Sequence, residues 1–423
     1  MTTSPAAAGQ TPRFGPSTRV EFHELAIRED GADWIVGRRA NRTFVALPAE
    51  GIRVIELLRG GGTVGSAAAR LRSEAGADFD VPDYLRSLTE LGFVATVDGR
   101  PVDSPPPAAA TLPWLRQRHT AWSLSPVWPG LLALLAVAAS VVLVGRPELL
   151  PSYRALLWSP FGSLVLLAAF GVGWTLVFLH ELGHLVTARA SGVPGRITLG
   201  TRLQFLVAQT DISGIETAPR RHRLTAYLAG IGVNLAVASA ATIGLAMTNP
   251  TGAAGKALSL VALMAVLPIP FQFLVFMRTD VYFVLQDLMG CRNLHGDARA
   301  YLRYLASRWT LRPGVRDAAA HPLKDLPARE RRAVRGYSVV QGLGTLLCLA
   351  FFAAVTLPAD AHLIVRSLIG LRAHESPVRV IDSIVVIVVL GGVHVLWAVT
   401  WWRGRNRTAG KGRKESRPHA PYR

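Results

Sequence analysis

Six runs of roughly 20 apolar residues limit what this chain can fold into more than any other feature. A bilayer's hydrocarbon core, about 30 Å thick, is crossed by about 20 helical residues, and inside it every backbone amide must bond within a helix or a closed barrel. The runs cover 127–144, 161–179, 227–247, 258–277, 337–357 and 380–402, and nothing before Val127 qualifies. Trp128, Trp158, Trp397, Trp401 and Trp402 stand at or near run ends, where interfacial aromatics collect. Pro268 and Pro270 predict a kink or break in the fourth run, tolerated where neighbouring helices satisfy the freed carbonyls. With 50% hydrophobic and only 17% charged residues, a disordered chain is excluded. Cys291 and Cys348 are the whole cysteine complement, which excludes a disulfide scaffold and a cysteine zinc site. A metal would have to be held by His, Asp or Glu.

The Lys and Arg residues test the span count independently. Taken segment by segment around the six runs they number 14, 2, 6, 1, 12, 3 and 8. Odd segments are rich and even ones poor, which predicts six spans with both termini in the cytoplasm. The net charge of +18 is then topological, attractive to anionic lipid, and no nucleic-acid partner is expected. The opening MTTSPAAAGQTP has no apolar core, so no cleavable signal peptide is expected. Four Lys among 46 basic residues hint at a GC-rich bacterial genome, hence a multi-pass protein of the bacterial cytoplasmic membrane.

Residues 20–100 read differently. VEFHELAIRED and ADWIVGRRANRTFVAL alternate as paired strands do, LPAEGIRVIELLRG has helical spacing at Ile52, Ile55 and Leu58, GGTVGSAAARLRSEAG predicts a second helix, and VPDYLRSLTELGFVATV a third that stops at Gly92 and runs into a strand. This is a small α+β, winged-helix-like unit, followed by a Pro-rich linker over 101–126 that includes PVDSPPPAAATLP. LPAEGIRVIELL, TVGSAAARL and LTELGFV resemble the PqqD-like peptide-recognition domains that serve the maturation of ribosomally made peptides. The resemblance implies that a leader peptide adds as a strand to the exposed sheet edge. A DNA-binding winged helix or a packing module are the other readings, and Asp78, Asp80 and Asp83 near the third helix disfavour phosphate contact.

The second run leads straight into FLHELGHLVTARA. His180 and His184, four residues apart, share one helix face about 6 Å apart in rise, so both imidazoles can reach one metal with Glu181 beside it. Zinc is the default ion, and ionisable groups at membrane depth are functional by default. His23-Glu24 has Ile27 where a second His would be needed and reads as an ordinary solvent-facing pair. Catalytic zinc takes three protein ligands and one open position. The third candidate is Asp280 in FMRTDVYFVLQDLMG, delivered by the end of the fourth span to the depth of the histidines; Asp287, about 10 Å farther along a continuing helix, is its competitor.

These residues resemble the site-2 protease family of membrane zinc metalloproteases, in its bacterial peptide zinc metalloprotease branch. That family pairs HExxH on one membrane helix with an Asp on a later one, usually in an Asp-Gly context, and carries Ala-Gly-Pro-x-x-Asn between them. TDVYFVLQDL and AGIGVN stand here, so the resemblance maps Asp280 to the metal-binding Asp and Asn234 to the Asn, with Val281 in place of Gly and Ile231 in place of Pro. It covers about 160–305, the core of a membrane metalloprotease domain over 127–402 that precedes a basic cytoplasmic tail, 403–423. Asn234, about eight residues into the third span, could donate to a developing oxyanion or pack as a helix-bridging amide. GRITLGTRLQFLVAQTDISGI alternates as two strands and could hold a substrate extended over the site. His222 and His394 read as interfacial and packed residues, and His362 and His374 as outer-loop residues.

The expectation is a mainly α, six-span membrane helix bundle behind a small α+β domain. It would be a zinc endopeptidase with His180, His184 and Asp280 as ligands and Glu181 as base, removing the leader from a ribosomally synthesised, modified peptide. Two competitors stand beside it: cleavage of a membrane-anchored regulator such as an anti-sigma factor, and a non-catalytic peptide exporter or immunity protein. GRGRN and LRGGGTVG lack the Lys and spacing of a phosphate loop, and no inverted repeat is evident.

Overall fold

A computed structural model describes residues 12–31, 33–75, 79–107, 109–159, 162–202, 205–310, 321–324, 326–372 and 376–412. Asp78, Phe161, His374 and the last eleven residues of the basic tail, all invoked above, lie outside the described residues. The chain divides into two compact units. One comprises residues 1–124 with 185–196 and 211–223; the other comprises 125–184, 197–210 and 224–423.

In the first unit, β1 (Val20–Phe22), β2 (Ala26–Asp30), β3 (Asp33–Arg38) and β4 (Thr43–Pro48) lead into α1 (Ala49–Arg59), α2 (Val64–Ala75) and α3 (Val81–Glu90), followed by β5 (Val94–Val97) and β6 (Arg100–Pro101). The expected strand pairing is corrected in one respect. AIRED, DWIVGR and TFVALP form an antiparallel meander, β2-β3-β4, whereas VEF leaves its neighbours and pairs with VATV, Val20 opposite Val97. The reason is packing: Val20, Val94 and Val97 all turn into the core that Ile52, Ile55, Leu58, Leu85, Leu88 and Phe93 fill. Helix α3 starts on Asp80, whose carboxylate accepts from the Asp83 amide at 2.9 Å, with Pro82 in the first turn. It stops at Gly92, which has φ +72°, while Phe93 N bonds back to Leu88 O at 3.0 Å.

The β3–β4 turn carries three arginines that all find oxygen. Arg38 donates to Gly92 O, Arg39 to the Thr217 hydroxyl at 3.1 Å, and Arg42 to Asp211 at 3.0 Å and Ala109 O at 3.0 Å. This turn thus ties the strand domain to the 211–223 segment of the same unit.

The second unit is built mainly from helices: α4 (Val127–Gly145), α5 (Gly162–Ala190), α6 (Arg220–Ala246), α7 (Ala253–Val266), α8 (Asp280–Met289), α9 (Leu294–Thr310), α10 (Ala328–Phe351), α11 (Leu357–Arg372) and α12 (Pro377–Gly412), of which residues 185–190 of α5 and 220–223 of α6 are counted with the first unit. Two strands, β7 (Arg196–Arg202) and β8 (Phe205–Asp211), pair between α5 and α6. Among the described residues six helices are long and apolar enough to cross a membrane: 127–145, 163–190, 220–246, 253–271, 328–354 and 377–403. This is the make-up of a multi-pass membrane protein.

Helix α6 is the central packing element. Ala226, Gly230, Asn234, Ala238, Ala241, Thr242 and Leu245 are buried along it, a stripe of mostly small side chains that lets backbones approach. Farther along, Leu176, Ala238 and Ala265 bring α5, α6 and α7 into one cluster.

The fourth span departs from expectation. Its regular helix is interrupted at Leu267, one further helical turn Pro268–Phe271 completes the span, and the chain then runs irregularly through a left-handed Arg278 (φ 58°) before α8 starts. Asp280 is therefore the first residue of a new helix, not the last of a spanning one. Pro268 and Pro270 supply no amide hydrogens, which is why the ladder is not carried on. His362 is corrected as well: it lies in helix α11, not in a loop.

Candidate metal centre

Helix α5 continues without a break from its apolar stretch through HELGH, which places His180 and His184 on successive turns of one face. Both are buried, at 8% and 6% exposure, beside Glu181 at 8%. Helix α8 presents Asp280 to them: its Oδ2 lies 3.0 Å from His180 Nε2 and 3.3 Å from His184 Nε2, and the two Nε2 atoms are 3.3 Å apart. These three residues are the one cluster of His, Cys, Asp and Glu ligand atoms among the described residues able to hold a metal.

The three atoms form a nearly equilateral triangle. Adjacent ligands of a tetrahedral zinc with bonds of about 2.0–2.1 Å are about 3.3 Å apart, so the set fits zinc in size, donor type and number, with a fourth position left for water. Tautomer supports the fit. His184 Nδ1 lies 2.7 Å from Ala226 O, and because a carbonyl can only accept, a proton sits on Nδ1, which leaves Nε2 as the nitrogen that would bind a metal. Asp280 Oδ2 is buried and faces both Nε2 atoms, so the three donor atoms converge on one point.

Two glycines make the approach possible. A Cβ on Gly230 would overlap the His180 ring, and one on Gly183 would press into Val233 and the Ala229 carbonyl. HELG and AGIG are therefore two halves of one close crossing of α5 and α6. Gly230 lies one turn beyond Ala226 and one turn before Asn234, so the three share the α6 face turned to the histidines.

Asn234 is 2% exposed and its Oδ1 has no partner among the described residues. Asp287 is two turns along α8 from Asp280 and does not join the cluster. His222 and His394 do not join it either; His394 bonds Leu390 O at 2.8 Å and faces Asp360 at 3.5 Å.

Sequence reading missed two residues that build this site. Gln272 holds the start of α8: its carbonyl accepts from Thr279 Oγ1 at 2.5 Å and its side chain from the Asp280 amide at 3.0 Å. Thr-Asp ahead of VYFVLQDL was a readable helix start. Thr210, on β8, lies with its hydroxyl 2.7 Å from Glu181 Oε2 and 3.0 Å from the Glu181 carbonyl oxygen. Alternation in FLVAQTD places Thr210 opposite Asp211 across the strand, but nothing in the sequence says which face meets α5. Comparison with protein-family models, curated proteins and solved structures returns no match.

Proposed function

We propose that this protein is a membrane-embedded zinc endopeptidase that cuts peptide bonds near the cytoplasmic face of a bacterial cytoplasmic membrane. The observation that carries the reading is the triangle of His180 Nε2, His184 Nε2 and Asp280 Oδ2, with 3.0–3.3 Å edges, beside the buried Glu181. Bound zinc would supply Lewis acidity toward a carbonyl and acidify a water to a pKa of about 7. Everything else is the chain's own work. Glu181 takes one proton from the attacking water as its oxygen bonds to the scissile carbon, and returns that proton to the amine as the C–N bond breaks, so the carboxylate ends unchanged. Asn234, on the α6 face that also carries Ala226 and Gly230, would donate its amide N–H to the carbonyl oxygen as charge develops. The β7–β8 pair offers backbone to an extended substrate, which a protease needs because helical amides are already bonded.

The substrate we favour is a ribosomally made, modified peptide whose leader is removed. Residues 20–100 carry the three-stranded β2-β3-β4 sheet, in which β2 has a neighbour on one side only among the described residues, the kind of edge to which an extended leader adds. The charge alternation of the loops supports a cytoplasmic location for residues 20–100 and for the HELGH end of the second span.

The test is incubation of the detergent-solubilised protein with candidate precursor peptides, with and without chelator, read by mass, alongside metal analysis of each variant. Glu181→Gln should keep about one zinc per chain and lose cleavage by at least ~100-fold, as expected for a removed general base. Asp280→Ala should lose the metal, and Asp287→Ala should not. Cleavage that survives Glu181→Gln would overturn the assignment. Cleavage of a single-span protein in place of precursor peptides would move the substrate to a membrane-anchored regulator, and zinc without cleavage of either would leave a non-catalytic exporter or immunity protein.

A further inference from the structure

We infer that Thr210 is the positioning residue for Glu181, an assignment that rests on reading Glu181 as the proton acceptor. A glutamate side chain has three free torsions, and fixing it costs rotamer freedom. A base that must meet a water within hydrogen-bond reach needs that freedom removed beforehand. Helix α5 fixes only the Glu181 backbone.

The Thr210 hydroxyl fixes the rest. It is 2.7 Å from Glu181 Oε2, and its 3.0 Å approach to the Glu181 carbonyl gives its single proton two acceptors on one residue. One carboxylate oxygen is thereby held, and Oε1 is left for the water. The hydroxyl is itself on a fixed support. Thr210 is the penultimate residue of β8, which is hydrogen-bonded to β7 within the same unit. The hydrogen bonds of the Thr210 hydroxyl among the described residues go to Glu181 and not to the three ligand atoms, so its loss should leave the metal in place. The β7–β8 pair thus has a second task beside any contact with substrate, which is to set the base.

The experiment uses the full chain with Thr210→Val, Thr210→Ser and Glu181→Gln. In metal-free protein the infrared carboxylate stretches are compared: Thr210→Val should shift a band that is absent from Glu181→Gln, and Thr210→Ser should leave it in place. In zinc-loaded protein an equimolar set of unstructured 20-residue peptides, read by mass, identifies a cleaved sequence for kinetics. Thr210→Val should bind one zinc, keep KM within about twofold and lower kcat about 10- to 100-fold, equivalent to roughly 1.4–2.7 kcal/mol at the barrier. Thr210→Ser, which keeps the hydroxyl, should recover most of that loss. An unshifted band, or unchanged kcat in Thr210→Val while Glu181→Gln is inactive, overturns the assignment and leaves the peptidase reading intact. Equal inactivity of wild type and Glu181→Gln overturns the peptidase reading, and the positioning role with it.

Discussion

His180 occupies the space in which a side chain on residue 230 would begin. The overlap is with the ring itself, which cannot move away without leaving the triangle it forms with His184 and Asp280. Ala at 230 therefore has two outcomes, a displaced imidazole or a separated helix pair, and either undoes the centre. Overpacking of this kind costs about 1–3 kcal/mol. We expect Gly230→Ala to fold in detergent with a lowered melting temperature and well under half the zinc of the wild type, by elemental analysis of the purified protein. Gly232 is the control on the same helix, because a Cβ there meets only Leu132 Cδ2 at an ordinary 3.4 Å, so Gly232→Ala should keep its metal. Equal zinc in Gly230→Ala and the wild type would mean that α5 and α6 do not cross this closely.

Among the elements, hydropathy and spacing made the spans and HELGH legible, because an apolar run of span length has few other uses and i,i+4 is a property of any helix. The same reasoning failed at 272–279, where apolar Phe273, Val275, Phe276 and Met277 read as more α-helix although the chain has left it after Phe271. Composition there reports the solvent, not the backbone path. Asp382 in the last span was invisible for a related reason: its carboxylate accepts from the Ser163 amide at 2.7 Å, capping α5 from a helix some 200 residues away in sequence. The Arg42–Asp211 pair at the end of β8 was equally out of reach. Burial alone would raise the Asp211 carboxyl, but the Ser213 N–H and O–H and the Arg42 guanidinium together hold it below the usual carboxylate range. A depressed folded pKa contributes stability that is fully present above the unfolded value of about 3.9 and is lost as pH falls through the folded one. Thermal unfolding of the full chain between pH 3 and pH 6 should therefore show an acid-side loss that is smaller in Asp211→Asn, and that variant should be less stable than wild type at pH 6. Parallel curves for the two proteins would show that the pair contributes nothing to stability.

At the scale of the whole molecule the decisive quantity is how little of the apolar surface the protein covers itself. Only 6% of the apolar window is buried in α4 and in α12, and Val144 and Leu347 are 83% and 70% exposed. Such faces exceed the patches a water-soluble surface carries, so lipid is the solvent they fit. Which way the bundle stands in that lipid follows from charge. The segments of the chain before the first run and between the fourth and fifth carry 14 and 12 Lys plus Arg, against 2 between the first and second runs and 3 between the fifth and sixth. Retention of the rich segments in the cytoplasm predicts that a reporter inserted after Glu148 is outside and one inserted within 311–320 is inside. Alkaline phosphatase should then be active at the first position and inactive at the second, and a fluorescent protein that matures only in the cytoplasm should do the opposite. The result bears directly on substrate. If 311–320 is inside, the end of the second span that carries HELGH is inside too, where precursor peptides are made and where a leader can meet β2. The inverse pattern would place the triangle near the outer face, and the leader-removal reading would give way to cleavage of an exported or membrane-anchored protein.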